Sequence, residues 1–167
     1  MRLEFYTVDA KYCDYLRKFD SCVPYVTDKK KNRPFLGVVF SLNNFLYYAP
    51  LSSPKEKHLR MKNQIDFIKI KGGALGAINL NNMIPVFKPY LTAVDVESVS
   101  DLKYKNLLNN QLTWCNISLN KKNILKKTAR LYHLIVENNA SPALIKRTCN
   151  FSILEKESLA YFNLNGE

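Results

Sequence analysis

The chain has 167 residues, 47% of them hydrophobic, which is enough for one domain with a buried core. Its formal net charge of +11 favours a polyanionic partner, either a nucleic acid or an acidic membrane surface. Its four cysteines lack the spacing of a zinc site. No apolar run has the length of a signal peptide or a membrane span, so we predict a cytoplasmic protein with free thiols. We predict one domain over residues 1–167.

The first half of the chain has the pattern of strands. Residues 3–8 (LEFYTV) are rich in residues that favour strands, and residues 11–20 have the apolar spacing of a short amphipathic helix. Two further strands, residues 35–42 (FLGVVFSL) and 45–51 (FLYYAPL), flank Asn43 and Asn44. Because asparagine suits the turn of a tight hairpin, we predict that these two strands pair.

Strands continue to about residue 96, and helices follow. Residues 65–71, 76–86 and 90–96 read as extended segments. From residue 101 the apolar residues recur at helical spacing, with a break at 116–120 (NISLN) and a last short helix at 149–162. Strands followed by helices predict the α+β class.

The positive charge is concentrated in the strand half. Residues 29–88 contain eleven Lys or Arg and two acidic residues, a net charge of +9. Two loops carry much of it, residues 28–34 (DKKKNRP) and 53–62 (SPKEKHLRMK), and the predicted hairpin would place both at the same end. Tyrosines between the basic residues could stack on bases, as in proteins that bind single-stranded nucleic acid. The alternative is an ordinary solvated surface.

The same region offers few catalytic groups. The chain has two histidines, no G-x-S-x-G elbow, no P-loop and no carboxylate cluster in its basic half. RNA cleavage requires fewer catalytic groups than those reactions, because the substrate's own 2′-hydroxyl can attack the phosphate. The protein then only orients the phosphate and stabilises the charge that develops. Ser52, Ser53 and Lys55 could do this, although the pentapeptide LSSPK is also compatible with an ordinary turn.

Four segments, in the same order along nearly the whole chain, resemble the ToxN/AbiQ family of type III toxin endoribonucleases. They are residues 5–24, 35–58, 75–86 and 149–155, and YYAPLSSPKEKH at 47–58 is the most specific of them. The resemblance implies that Ser52, Ser53 and Lys55 form the active site.

The resemblance also implies a fold, a reaction and partners. The fold is a strongly bent antiparallel sheet like the barrel of the MazF and CcdB toxins, with flanking and C-terminal helices. The reaction is metal-independent, uses no cofactor and leaves a 2′,3′-cyclic phosphate on cellular and phage messenger RNA. The partner is an antitoxin RNA of pseudoknot repeats, which the toxin cuts from a longer transcript. Toxin and RNA form a closed assembly with few direct contacts between protein copies. No membrane is a partner.

The RNA-binding residues are predicted partly from charge and partly from this resemblance. Some relatives have a tyrosine in the loop before the strand that corresponds to residues 35–42. This chain has no tyrosine in that loop, and we assign the RNA contacts there to Lys30, Lys31 and Arg33. Tyr12 matches a helix tyrosine near the family's active site. The full predicted set is Tyr12, Lys29, Lys30, Lys31, Arg33, Lys57, His58 and Arg60.

Two other classes of function remain compatible with the sequence. The same basic sheet could bind RNA without cleaving it, as in a chaperone or a repressor. A membrane-surface protein would require a basic amphipathic helix, which residues 124–135 match weakly. Loss of toxicity on substitution of Ser53 or Lys55 separates the enzyme from the binding protein.

Overall fold

The structure is a computed structural model that describes residues 1–26 and 33–165. It is α+β, as predicted, and contains one antiparallel sheet of seven strands. The strands are β1 (Glu4–Val8), β2 (Phe35–Leu42), β3 (Phe45–Ser52), β4 (Phe67–Lys69), β5 (Ala77–Asn79), β6 (Ile84–Pro85) and β7 (Leu91–Ala93). Lys29, Lys30 and Lys31, predicted to bind RNA, lie outside the described residues.

The sheet is open. From edge to edge its strands run β4, β5, β3, β2, β1, β7, and β6 also pairs with β3. The register of β2 on β3 shifts between Gly37 and Phe40, which marks a bulge, a feature that bends a strand and increases its twist. Because the path of the described strands has two ends, the barrel implied by the resemblance is not confirmed.

The predicted hairpin is confirmed. Strands β2 and β3 pair up to Leu42 and Phe45, and only Asn43 and Asn44 lie between them. Both asparagines have positive φ, 49° and 70°, the conformation that a two-residue hairpin turn requires at both positions. The hairpin turn lies at the far end of β3 from Ser52, so Ser52 lies at the end of the hairpin where residues 53–62 follow and where Arg33 and Pro34 precede β2.

The described residues form six α-helices: α1 (Ala10–Arg17), α2 (Glu56–Arg60), α3 (Leu102–Asn116), α4 (Ser118–Val136), α5 (Pro142–Arg147) and α6 (Phe151–Asn165). Side-chain oxygens cap four of them, because Asp9, Asp101, Ser141 and Asn150 each accept a hydrogen bond from a backbone N–H in the first turn. None of the helices in these two stretches has both the length and the apolar composition needed to cross a membrane.

Short elements account for the differences from the sequence-based prediction. Residues 53–62 were predicted as a loop, and no element was predicted at 142–147, because the five residues of α2 and the six of α5 are too few to show helical periodicity. The strand predicted at 90–96 contracts to β7 between two 3₁₀ turns. The last helix extends over 15 residues and is not short, because its buried face continues along α1 and β6.

Tyr12 is a core residue, which corrects its predicted role in RNA binding. Its side chain is fully buried between α1 and α6, its hydroxyl donates to the Pro85 carbonyl, and its ring stacks on Tyr90 at 4.9 Å between centroids. Burial raises the pKa of the Tyr12 hydroxyl well above its ordinary value. A base could stack on this ring only after the core opened.

Candidate active site

The predicted catalytic residues lie in a sharp turn at the end of β3. Ser52 ends the strand, the chain turns through Ser53 and Pro54, and Lys55 is the cap residue before α2. Ser52 is half-buried, whereas the Ser53 and Lys55 side chains are exposed. We call residues 52–55 the SSPK turn.

His58 holds the SSPK turn from beneath. Its Nδ1 accepts a hydrogen bond of 3.2 Å from the Lys55 backbone N–H, and its own backbone N–H donates to the Lys55 carbonyl at 2.9 Å. The bond to His58 Nδ1 is one half of a capping box, with histidine in place of the usual Glu or Gln. The other bond is an ordinary backbone turn bond, because a lysine side chain has no acceptor atom. The backbone of Lys55 is thereby fixed while its ammonium group is left free in solvent.

His58 is therefore a supporting residue, which corrects its predicted role in RNA binding. Only 1% of its surface is exposed, and its ring packs 5.9 Å from that of Phe67. Burial, together with the charges of Lys57 and Lys55, lowers the pKa of His58. The neutral ring that results keeps a lone pair on Nδ1, which the bond from Lys55 requires.

Asn79 on β5 sets the direction of the Ser52 hydroxyl. Its Nδ2 donates to Ser52 Oγ at 2.7 Å. An amide nitrogen can only donate, so the serine oxygen is the acceptor and its hydrogen is available to another group. The strands can approach this closely because Gly76 lies against the Ser52 carbonyl, where a Cβ would come within 2.1 Å of the oxygen.

Arg33 is brought to the same place from the other side of the hairpin. Its Nε donates to the Leu51 carbonyl at 3.1 Å, and burial lowers the pKa of its guanidinium group. Arg33, Ser52, Ser53 and Lys55 all line one cavity of about 420 Å³. Two positive side chains and two hydroxyls thus converge on one opening, the arrangement expected of an anion site.

The opposite wall of this cavity was not predicted from the sequence. It is formed by one face of α3, and its members recur at helical spacing: Tyr104, Leu107, Leu108 and Gln111. We call it the α3 wall. The helical pattern identifies this face as buried, but only the tertiary fold shows that part of it faces the SSPK turn.

A second cavity of about 350 Å³ lies on the other side of Ser52. Lys57 and His58 line it together with the side chains of Asn79, Asn81 and Asn82. Its floor contains a two-bond ion pair in which the Arg147 guanidinium donates to both carboxylate oxygens of Asp66, at 2.7 and 3.0 Å. Ser52 therefore separates two cavities.

The remaining predicted RNA-binding residue, Arg60, is exposed at the end of α2. In the stretches 1–26 and 33–165, no three His, Cys, Asp or Glu side chains come together in a group that could hold a metal ion. In the cavity of about 420 Å³, the groups that could bind an anion are the side chains of Arg33 and Lys55 and the two serine hydroxyls.

Comparison with known proteins identifies the family to which the chain is similar. Residues 4–158 match the family described as toxin ToxN, type III toxin–antitoxin system. The chain is similar to the endoribonuclease ToxN of Pectobacterium atrosepticum, with 32% identity over 93% of this chain and 91% of the relative.

Solved structures have the same fold. One, from a type III system in which a non-coding RNA pseudoknot selectively inhibits the toxin, superposes with a TM-score of 0.82 at 28% identity and covers 96% of this chain and 98% of the other. The lactococcal anti-phage endoribonuclease AbiQ superposes with a TM-score of 0.81, also at 28% identity, over 98% of this chain and 99% of the other.

Proposed function

The chain belongs to the ToxN family of type III toxin–antitoxin systems, and from this we propose that it is an endoribonuclease toxin whose reaction centre is the SSPK turn. The observation that carries the proposal is the cavity that Arg33, Ser52, Ser53 and Lys55 line together. The family's activity requires groups that can hold a phosphate, and this cluster of two cations and two hydroxyls could supply them. Residues 1–167 act as one toxin domain in the cytoplasm, and the likeness of the fold to MazF and CcdB stays a prediction.

The reaction uses the nucleophile already present in RNA. The 2′-oxygen forms a bond to the neighbouring phosphorus, and the bond from phosphorus to the 5′-oxygen breaks. The 2′-hydroxyl loses a proton, the departing 5′-oxygen gains one, and the product carries a 2′,3′-cyclic phosphate. No metal takes part, so the charge that develops on the phosphate oxygens is stabilised by protein groups alone.

Each residue of the turn has a distinct part in this reaction. Lys55 places its ammonium beside the phosphate oxygens, and the bond from its backbone N–H to His58 fixes the backbone from which this side chain reaches. Ser52 donates its hydroxyl hydrogen to a phosphate oxygen because Asn79 occupies its oxygen as an acceptor. Ser53 supplies a second donor, and these contacts strengthen as the negative charge grows in the transition state.

The partner is an antitoxin RNA of pseudoknot repeats, and the targets are cellular and phage messenger RNAs. Support comes from the charge of +11 and from a relative that a non-coding RNA pseudoknot inhibits. Toxin and antitoxin form a closed assembly with equal copies of each and few direct protein contacts. Lys29, Lys30, Lys31, Lys57 and Arg60 hold the phosphates of the RNA.

The reaction is tested with purified protein and a mixed-sequence RNA in excess EDTA. We expect cleavage to continue, and the 3′ ends of the products to be cyclic phosphates that resist ligation until the phosphate is opened and removed to leave a free 3′-hydroxyl. If cleavage stops with EDTA and returns with magnesium, the metal-independent reaction is wrong. If RNA is bound and never cut, the chain is an RNA-binding protein.

The assembly is tested by sizing the purified complex before and after digestion of its RNA. We expect one large species to become a protein monomer, and its formation to weaken steeply as salt increases. A protein that stays oligomeric without RNA would show that protein contacts hold the assembly together.

A further inference from the structure

The proposed reaction moves two protons, and the side chains around the SSPK turn have other tasks. The hydroxyls of Ser52 and Ser53 bind phosphate oxygens, and a serine is as weak an acid as the ribose hydroxyl that departs. Lys55 has to keep its proton, because its positive charge stabilises the transition state. An arginine such as Arg33 does not release its proton in proteins. The group that protonates the departing 5′-oxygen therefore comes from elsewhere in the cavity.

Tyr104 in the α3 wall is the remaining side chain, among the described residues that line this cavity, that can transfer a proton. Its ring is half-buried, and its backbone N–H donates to Asp101 at 3.1 Å at the start of α3. Its hydroxyl forms no hydrogen bond with any described residue. The hydroxyl of Tyr47, by contrast, is held by Glu155 in the core. The Tyr104 hydroxyl is therefore available to a ligand.

The charges around Tyr104 determine from which side an RNA phosphate approaches it. Tyr104 lines the cavity of about 420 Å³ and also a neighbouring cavity of about 480 Å³. Asp95 and Asp101 line the neighbouring cavity, and no Lys or Arg does so among the described residues. A phosphate is repelled by these carboxylates and attracted by Arg33 and Lys55. It therefore occupies the cavity that Tyr104 shares with the SSPK turn.

Tyr104 is suited to give a proton and not to take one. Burial raises the pKa of its hydroxyl above the ordinary tyrosine value of about 10. The phenol is therefore protonated at neutral pH and cannot accept the proton of the attacking 2′-hydroxyl. The departing 5′-oxygen would leave as an alkoxide, which is a stronger base than a phenolate. A proton passed from the phenol to this oxygen therefore moves to the stronger base.

We propose that Tyr104 is the general acid of the reaction and that its hydroxyl protonates the 5′-oxygen as that oxygen leaves the phosphorus. The bond from phosphorus to the 5′-oxygen breaks, and its electron pair stays on the oxygen. The phenol O–H bond breaks, and a new O–H bond forms at the 5′-oxygen. Arg33 and Lys55 line the same cavity and stabilise the phenolate that remains. It recovers a proton from water after the product departs. This inference rests on the proposed function and assigns one of its two proton transfers.

The position of Tyr104 across the cavity from the SSPK turn fits the geometry of the displacement. The attacking and departing oxygens lie roughly on one line through the phosphorus, and the oxygens that the turn holds lie off this line. A donor to the departing oxygen must therefore stand apart from the groups of the turn. Tyr104 lies in the first turn of α3, a helix of 15 residues whose start is capped by Asp101, so its backbone is fixed.

The test compares two RNA oligonucleotides that have the same sequence and a single cleavage site. In one, the 5′-oxygen at that site is replaced by sulfur, which leaves as a thiolate and needs no proton. We expect Tyr104→Phe to lower the single-turnover rate on the oxygen oligonucleotide about 10²-fold and to change the rate on the sulfur oligonucleotide by less than about threefold. The RNA affinity and the urea midpoint should stay at their wild-type values, because only one unbonded hydroxyl is removed.

Two further variants frame this result. Lys55→Ala should slow both oligonucleotides, because the charge on the phosphate oxygens develops in both reactions. Tyr161→Phe removes the hydroxyl of another half-buried tyrosine, which packs against Tyr90 and lies outside the cavity. It should cut both oligonucleotides at the wild-type rates.

The outcomes separate the inference from the proposed function. If the wild-type protein cuts neither oligonucleotide, the proposed function fails. If it cuts both and Tyr104→Phe cuts the oxygen oligonucleotide at the wild-type rate, Tyr104 is not the acid. Equal losses on the two oligonucleotides would show that Tyr104 only shapes the cavity, and the inference is wrong.

A second variant keeps the inference testable if Tyr104→Phe does not fold. Placing 3-fluorotyrosine at position 104 keeps the size and the hydroxyl of the side chain and lowers the pKa of the phenol. The rate on the oxygen oligonucleotide should then begin to fall at a lower pH than in the wild-type protein, whereas the rate on the sulfur oligonucleotide should keep its wild-type pH profile. Unchanged pH profiles on both oligonucleotides would overturn the inference.

Discussion

Two groups of hydroxyl-bearing residues in this fold serve different purposes. At the SSPK turn, Ser52 and Ser53 face a cavity beside Lys55. In the core, the hydroxyls of Tyr47 and Tyr132 both donate to one Glu155 oxygen at 2.7 Å, inside a packed aromatic cluster. Polar groups that satisfy each other hold a core together, whereas groups left open to a cavity are available to a ligand.

Removing Lys55 should affect only the first group. We expect Lys55→Ala to lower cleavage about 10²- to 10³-fold, because a charge aimed at the transition state is lost. The free energy of unfolding should change by less than about 0.5 kcal/mol, since the side chain is exposed and the bond to His58 uses the backbone N–H. Single-turnover cleavage and urea unfolding measure the two quantities.

Lys62→Ala is the matched control, because it removes the same charge from an exposed position beyond α2. It should lower RNA binding slightly and leave cleavage of bound RNA unchanged. Equal losses of cleavage in the two variants would mean that Lys55 acts through general charge and not through its position in the turn.

Removing Glu155 should affect only the second group. Glu155→Ala leaves the hydroxyls of Tyr47 and Tyr132 without their acceptor, and we expect the free energy of unfolding to fall by about 2–3 kcal/mol. Glu155→Gln keeps one acceptor oxygen and should lose less. The folded protein should cleave RNA at the wild-type rate in both variants, and a change in base preference would show that the two regions are coupled.

The sequence predicts the residues of the SSPK turn better than the residues that reach the turn from other elements. LSSPK and the hairpin before it are local features, so Ser52, Ser53 and Lys55 could be identified from neighbouring residues and from the family resemblance. Asn79 and Gln111 reach the site from other elements, 27 residues beyond Ser52 in the case of Asn79. No local pattern reports such contacts, because they depend on how the strands and α3 pack.

Tyr12 and His58 show the limit of reading function from residue type. A tyrosine on a helix and a histidine among lysines are each compatible with RNA binding. Burial depends on what packs over them, which here is Tyr90 and Tyr161 for Tyr12, and Phe67 for His58. Helical spacing indicates which side chains face the core, but the distinction between a covered residue and a groove residue requires the tertiary structure.

Substitution of His58 tests whether the support of the turn matters to the reaction. His58→Leu removes the acceptor for the Lys55 N–H, and we expect cleavage to fall about tenfold while RNA binding is unchanged. His58→Gln should recover most of the activity, because the side-chain oxygen of a glutamine at this position can accept the same bond from the Lys55 N–H. Loss of binding without loss of cleavage per bound RNA would instead restore His58 to the RNA-binding residues.

The smallest expected effect is a dependence of stability on pH, which arises at the SSPK turn and not at the aromatic cluster around Glu155. The pKa of His58 is lowered in the folded protein by burial and by Lys57 and Lys55, so the unfolded chain binds a proton more readily than the folded one. The stabilisation from the neutral ring is therefore complete above about pH 6.5, the ordinary histidine value. It is lost as the pH falls below that value toward the lowered pKa. Protonation also places a hydrogen on Nδ1, which then opposes the Lys55 N–H and loosens the SSPK turn.

We expect the urea midpoint to fall between pH 6.5 and 5 in the wild-type protein and to fall less in His58→Gln, which does not titrate there. If the midpoint falls as much in His58→Gln as in the wild-type protein, the buried histidine beneath the turn is not the group that titrates.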